Sequence, residues 1–570
     1  MNCQLRSGVQ TILCGLFLSL GPWAIPSAQA AIGCTQSAIQ SAAPPNTTIV
    51  SVTAQSDPVA YCDVLGYVTT THPGPNHVNF ELGLPAAWNG RLLFIGNGMF
   101  AGSLAFPSVL LDLLTPFPVS SEVSAGFATV ITDTGHQGGG DFPLLDGSWA
   151  LNDVAKQDDW LFRGVHVVAV ATKFITRSFY GTALRSYFAG CSTGGRQGLV
   201  EAQRYPADFD GIVAGDPALG DLPLGANWNE QHIAATADNY IPPEKLALID
   251  SAVMQSCDAR DGVRDGLIQD PRKCTFNPDS LRCQGGNNAN CLAVDQVATL
   301  KTIYSGASTA DGHQIYPGYT KSDPFGNPDL AFGEDGWPFW MTGFESPNAP
   351  GTAEPWMAPE YPPLIFFYQD QFLKYFVFSN PDYNFLDFNL NSDNVARAQA
   401  VINRAGAAGT NPDLSSFATR GGKLILYHGW SDPAITPLAT VYYYDAVIEQ
   451  QGDVNRAGQF ARLFMVPGMR HCIGSGGPAP NAFDPLTPLI NWVETGKADC
   501  RCTFPRQRPT TGVVTRTMLL CPMWRFSKVA MSRKPRTGAA EQRFSFGSAQ
   551  ALPQRLRTKT LEVSCESLYV

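Results

Sequence analysis

At 570 residues the chain exceeds the usual span of one compact core, so one large domain carrying an insertion, or two domains, is expected. Hydrophobic and charged fractions of 44% and 15% exclude a disordered chain, and 11% aromatics suit flat, apolar ligands. A formal net charge of -10 speaks against a binder of nucleic-acid phosphates.

The N-terminus carries Arg6, an apolar stretch VQTILCGLFLSLG, and a small-x-small end at Ala28-Gln29-Ala30. This pattern predicts a cleaved secretory signal over residues 1–30 and a secreted or periplasmic protein without membrane attachment. Lipid attachment at Cys34 is the competitor, weakened by the alanine three residues before it. Of the 14 cysteines, Cys3 and Cys14 leave with the signal, and the remainder is even, as disulfides in an exported chain require.

From about residue 80, apolar runs end in glycine-rich turns: RLLFIGNG at 91–98, GFATVITDTGH at 126–136, SYFAGCSTGG at 186–195, GIVAGDP at 211–217, KLILYHGWSD at 423–432 and ARLFMVPG at 461–468. They read as buried parallel strands, and the helical stretches between them (152–178, 196–205) give an α/β class. Residues 31–219 form the first part of this core and 416–500 the second. Residues 220–415, rich in Pro, Gly, Asn and aromatics, break the rhythm and read as an insertion over the ligand edge of the sheet, with an independent second domain as the alternative. From residue 501 the chain turns basic, with 13 of the 39 Lys and Arg but 3 of the 49 Asp and Glu.

Gly190-Cys191-Ser192-Thr193-Gly194 fits G-x-S-x-G between an apolar strand and a helix-capable segment, the setting of a nucleophile elbow. A serine hydroxyl needs a base, and the base a carboxylate to orient it. After Ser192 the histidines are His232, His313, His428 and His471. His471 follows ARLFMVPG and Asp432 follows KLILYHGW, both at strand C-terminal ends, in the order serine, acid, histidine. His428 is the rival base, although it precedes Asp432. Cys191 precedes the serine and Cys472 follows the histidine, so a Cys191–Cys472 bridge would hold the two loops together; a buried free thiol, or a cysteine nucleophile, is the alternative.

These residues resemble the tannase and feruloyl esterase family of serine hydrolases. The likeness rests on Cys191-Ser192, Asp432 and His471-Cys472, and on WNGRLLFIGNGMFAG, TDTGH, GCSTGGRQGLVEAQRYPADFDGIVAGDPA and HGWSDP, over residues 60 to 500. It implies an α/β-hydrolase core with a lid inserted between nucleophile and acid. The oxyanion hole is then expected from the backbone N–H groups of Thr193 and Gly98. Asp133 and His136 of TDTGH are read as a structural turn.

CDARDGVRDGLIQD at 257–270 offers hard oxygen donors around glycines without an EF-hand's closing Glu. The resemblance implies structural Ca²⁺ held by Asp258, Asp261, Asp265 and the carbonyls of Val263 and Leu267; a solvated acidic turn is the alternative. Further pairs are expected as Cys257 with Cys274, Cys283 with Cys291, and Cys34 with Cys62. No organic cofactor is expected. A small aromatic ester is the expected substrate, hydrolysed through an acyl-enzyme, with Lys374, Tyr375 and Phe376 as candidate contacts to the ring; these residues read equally as lid core. Feruloyl, galloyl and terephthaloyl esters are not separated by the sequence, and an inactive binding module on the same fold is the reading from another class. The tail departs from the family: RTMLLCPMWRFSKVAMSRKPR stands where a cysteine-terminated closing segment is usual, as a change of reading frame after about Cys521 would produce.

Overall fold

The computed structural model describes residues 32–104, 119–140, 143–326, 336–356, 363–472 and 484–498. The expected leader over 1–30, the basic tail and Cys500, Cys502, Cys521 and Cys565 therefore lie outside the described residues. Nine strands form one sheet in the order β1-β2-β3-β5-β4-β6-β7-β10-β11. Three of them were not marked by apolar runs: β1 (Thr47–Gln55), β2 (Tyr61–Thr70) and β3 (Asn76–Pro85) pair antiparallel at one edge. In β2 every second residue is buried, which is the pattern of a sheet with one wetter face.

The remaining strands follow the sequence reading. β4 (Arg91–Ile95), β5 (Ala128–Thr132), β6 (Arg185–Cys191), β7 (Gly211–Gly215), β10 (Lys423–Gly429) and β11 (Ala461–Val466) run parallel. They are buried along almost their whole length because helices cover both faces. The helices Gly164–Tyr180, Thr193–Arg204 and Pro437–Gln451 pack on one side around Phe94, Phe188 and Leu426, and Leu486–Thr495 packs on the other around Tyr187, Tyr427 and Phe464. This is an α/β-hydrolase architecture.

Register places the chemistry. Cys191 pairs with Gly215 and Gly215 with Tyr427, while β10 and β11 run two residues further to the pair Gly429 and Val466, so all four strands end close together. The residues that follow these ends, 192, 216, 432 and 471, meet on one side of the sheet.

Among the described residues, the chain between β7 and β10 adds no strand to this sheet; it is mostly helical, with β8 (Gly306–Ser308) and β9 (Gln314–Pro317) as a separate pair. It shares one apolar core with the loops of the sheet. Phe100 of the core stacks on Tyr368 and Phe376 at 5.1 and 5.8 Å, and Trp149 meets Phe376 edge-on.

Candidate active site

Ser192 sits between β6 and the helix Thr193–Arg204 at φ 62° and ψ -125°, a conformation that a non-glycine residue adopts only when its surroundings impose it. Those surroundings are hydrogen bonds: Ser192 N–H donates to Gly215 O at 3.0 Å, and Ser192 O accepts from Arg196 and Ala218 N–H. Small neighbours are obligatory. A Cβ on Gly190 would lie 2.7 Å from the Gly194 carbonyl carbon, and one on Gly195 would lie 2.2 Å from Gly215 O. The serine therefore projects at a helix N-terminus, where the first N–H groups have no intrahelical partner.

Asp432 and His471 are fully buried beside it. His471 Nδ1 donates to Asp432 Oδ2 at 2.8 Å, while Asp432 Oδ1 accepts from Ala434 and Ile435 N–H at 2.8 and 2.9 Å. Burial alone would raise the Asp432 pKa, but His471 and His428 hold its carboxyl well below the usual range. His471 Nε2 is buried without a hydrogen-bond partner, and its ring meets Trp340 edge-on at 4.7 Å. Ser192, Thr193 and His471 share one small cleft with Met99, Trp340, Ile365, Tyr368 and Ile435.

A disulfide joins Cys191 to Cys472, so the loops carrying Ser192 and His471 are covalently linked. Cys34–Cys62, Cys257–Cys274 and Cys283–Cys291 are also formed. His232 bonds Trp228 O within the insertion and His313 lies in an exposed turn, so neither approaches Ser192. His428 lies behind Asp432, and its Nε2 is engaged by Asp432 and Ile435 O. Asp133 accepts from Asn79, Gly135 and Gln137, and His136 stacks on Trp149 at 3.5 Å, holding the turn after β5.

Two groups of candidate residues lie apart from the lining of this cleft. Lys374, Tyr375 and Phe376 do not line the cleft. Lys374 is paired with Asp370 at 2.8 Å, Phe376 is buried in the stack with Phe100, Trp149 and Phe372, and Tyr375 packs against the same core. The helix Leu364–Gln371 turns Ile365 and Tyr368 to the cleft instead, and the π-helical turn Phe372–Val377 carries the following residues away. Gly98 is not among the lining residues, but its neighbour Met99, at φ 48°, lines the cleft together with Thr193.

The acidic loop has donors that suit a hard cation, but they are not gathered. Asp258 accepts from Asp265 and Gly266 N–H, and Asp261 from Val263 N–H. Among the described residues, three groups of ligating atoms converge to within 4.8 Å, and the 258–267 loop is not among them.

A family model described as tannase and feruloyl esterase matches residues 62–532. The chain is 32% identical to the mono(2-hydroxyethyl) terephthalate hydrolase of Piscinibacter sakaiensis over 504 residues, 81% of either chain. It is 31% identical to a probable feruloyl esterase B-1 of Aspergillus terreus over 447 residues, covering 74% of this chain and 75% of that one. Among solved structures, feruloyl esterase B from Aspergillus oryzae superposes with a TM-score of 0.69 at 26% identity, covering 84% of this chain and 93% of its own.

Proposed function

This chain belongs to the tannase and feruloyl esterase family and is a carboxylic ester hydrolase, and from that premise we propose that it cleaves esters of neutral aromatic acids, of feruloyl or galloyl type, with Ser192, His471 and Asp432 as its triad. One observation carries the reading: His471 is fixed through Nδ1 by Asp432 while its Nε2 is left bare in the cleft that Ser192 lines.

Ser192 Oγ attacks the ester carbonyl and passes its proton to His471 Nε2. Thr193 N–H, with an N–H of the Gly98-Met99 turn, holds the oxyanion. His471 then protonates the departing alcohol, leaving an acyl-serine, and the same base activates water to release the acid. Asp432 keeps Nδ1 protonated and offsets the imidazolium charge.

Neutral acyl groups are favoured over a terephthalate monoester because no Lys or Arg is found among the described residues of the cleft, where a second carboxylate would need one. The purified protein should hydrolyse methyl ferulate or methyl gallate, and Ser192→Ala should abolish it. Turnover of mono(2-hydroxyethyl) terephthalate alone would overturn the acyl assignment, and activity surviving in Ser192→Ala would overturn the nucleophile.

Export belongs to the same proposal, supported by four disulfides and by the lack, among the described residues, of any helix long and apolar enough to cross a membrane. Structural calcium is a further part, one that requires Asp261 and Asp265 to be drawn towards Asp258. Dialysis against EGTA should lower the Tm and Ca²⁺ should restore it; an unchanged Tm would leave the loop a solvated acidic turn.

A further inference from the structure

Behind the triad lies a second buried set of charged groups that the mechanism leaves unused. Asp216, directly after β7, is wholly buried at φ 35°. One carboxylate oxygen accepts from Gly429 N–H at 2.8 Å, at the start of the loop carrying Asp432. The other accepts from Cys472 N–H at 3.0 Å, in the loop carrying His471, and lies 3.4 Å from the Cys191 sulfur beside Ser192. Cys472 is itself at φ 70°. One carboxylate thus touches all three catalytic loops, at strained turns.

His428, also wholly buried, stands between Asp216 and Asp432. Its Nε2 lies 3.1 Å from Asp432 Oδ2, 3.1 Å from Ile435 O and 3.4 Å from Asp216 Oδ1, and its Nδ1 lies 2.8 Å from Thr440 Oγ1. Nε2 faces three acceptors, so it carries a proton. Asp432 Oδ2 consequently receives two imidazole N–H groups, from His428 and from His471.

We propose that Asp216 and His428 are positioning residues for ester hydrolysis: Asp216 pins the acid and base loops, and His428, held between two carboxylates as an imidazolium, fixes Asp432 and limits the basicity of His471. The proposal rests on the triad reading above. Burial works against charge on His428, but Asp216 and then Asp432 outweigh it and raise its pKa above the ordinary imidazole value, while burial pushes Asp216 up to about 6. The other titratable groups facing this set are His471 and the hydroxyls of Tyr316, Tyr319 and Tyr427, which burial keeps neutral.

The test is the pH profile of kcat/KM for 4-nitrophenyl acetate, with kcat normalised by active-site titration. His428→Gln keeps a donor for Asp432 but removes a positive charge near His471. It should therefore move the acid limb to higher pH, by roughly one unit. Asp216→Asn loses one of the two loop anchors and should lower kcat about 10- to 100-fold with KM within about threefold. A limb that stays in place in His428→Gln, or an Asp216→Asn with wild-type kcat, overturns the proposal. Histidine ¹⁵N NMR of the unmodified protein tests it without a variant: His428 should show two proton-bearing nitrogens at pH 7.5, and a bare nitrogen overturns it. Ser192→Ala and Asp432→Ala separate the failures, because retained activity there sinks the triad itself, whereas inactivity beside a wild-type His428→Gln sinks this inference alone.

Discussion

Glu201 lies wholly buried on the helix that starts after Ser192, with Asp208 as its neighbour and one carboxyl oxygen without a hydrogen-bond partner. Burial, then the adjacent Asp208, raises its pKa well above the ordinary 4.5. A carboxyl raised in this way contributes its full stability below pH 4.5 and loses it as pH climbs towards the folded value, about 1.4 kcal/mol for each unit. Glu201→Gln keeps shape and donor without that dependence. Its Tm should gain on the wild type between pH 5 and pH 8; a constant difference across that range would mean that Glu201 is ionised in the fold. The charge of this position was not legible in the sequence, because a glutamate on an amphipathic helix reads as solvated until the packing is known. Ser192, Asp432 and His471 were legible for the opposite reason: each follows an apolar run at a turn. Trp340 and Tyr368 were not, since their approach to the cleft depends on how two helical turns of the insertion are rotated.

Among the elements, the link between β6 and the loop after β11 carries the most weight. Cys191 and Cys472 are separated by 281 residues, and chain entropy assigns closure of such a loop about 5 to 6 kcal/mol. The Cys34–Cys62 pair closes 28 residues at the far edge of the sheet. Cys191→Ala/Cys472→Ala should therefore lower both Tm and kcat, whereas Cys34→Ala/Cys62→Ala should lower Tm and leave kcat within about twofold. Equal kcat in the two double variants would show that Asp216 and the backbone bonds already hold the loops. The pairing across the site was readable because each cysteine adjoins a residue that must meet the other. Parallel strands buried on both faces were readable for their unbroken apolar runs, while β1–β3 alternate in burial and gave no comparable run.

At the scale of the whole molecule, the candidate site is assembled from two parts of the chain, because the proposed triad stands at strand ends of the sheet while Ala218, Leu222, Trp340, Ile365 and Tyr368 come from between β7 and β10. The position of that insertion followed from the loss of strand rhythm after residue 220, but its inner face did not, since an aromatic-rich segment supplies rings to its own core and to a ligand alike. Rings of the insertion such as Phe372 and Phe376 went to the core, where Phe376 stacks with Phe100, Trp149 and Trp160. Trp340 is different in that it touches both His471 and the cleft. If its main work is to stack on the acyl ring, Trp340→Ala should cut kcat/KM for an aromatic acyl ester about 10- to 100-fold, while 4-nitrophenyl acetate, with no ring in its acyl half, changes less than about threefold. A parallel fall for both esters would instead assign Trp340 to holding the His471 ring, and acyl selection would then pass to Tyr368 and Ile365 on the opposite helix.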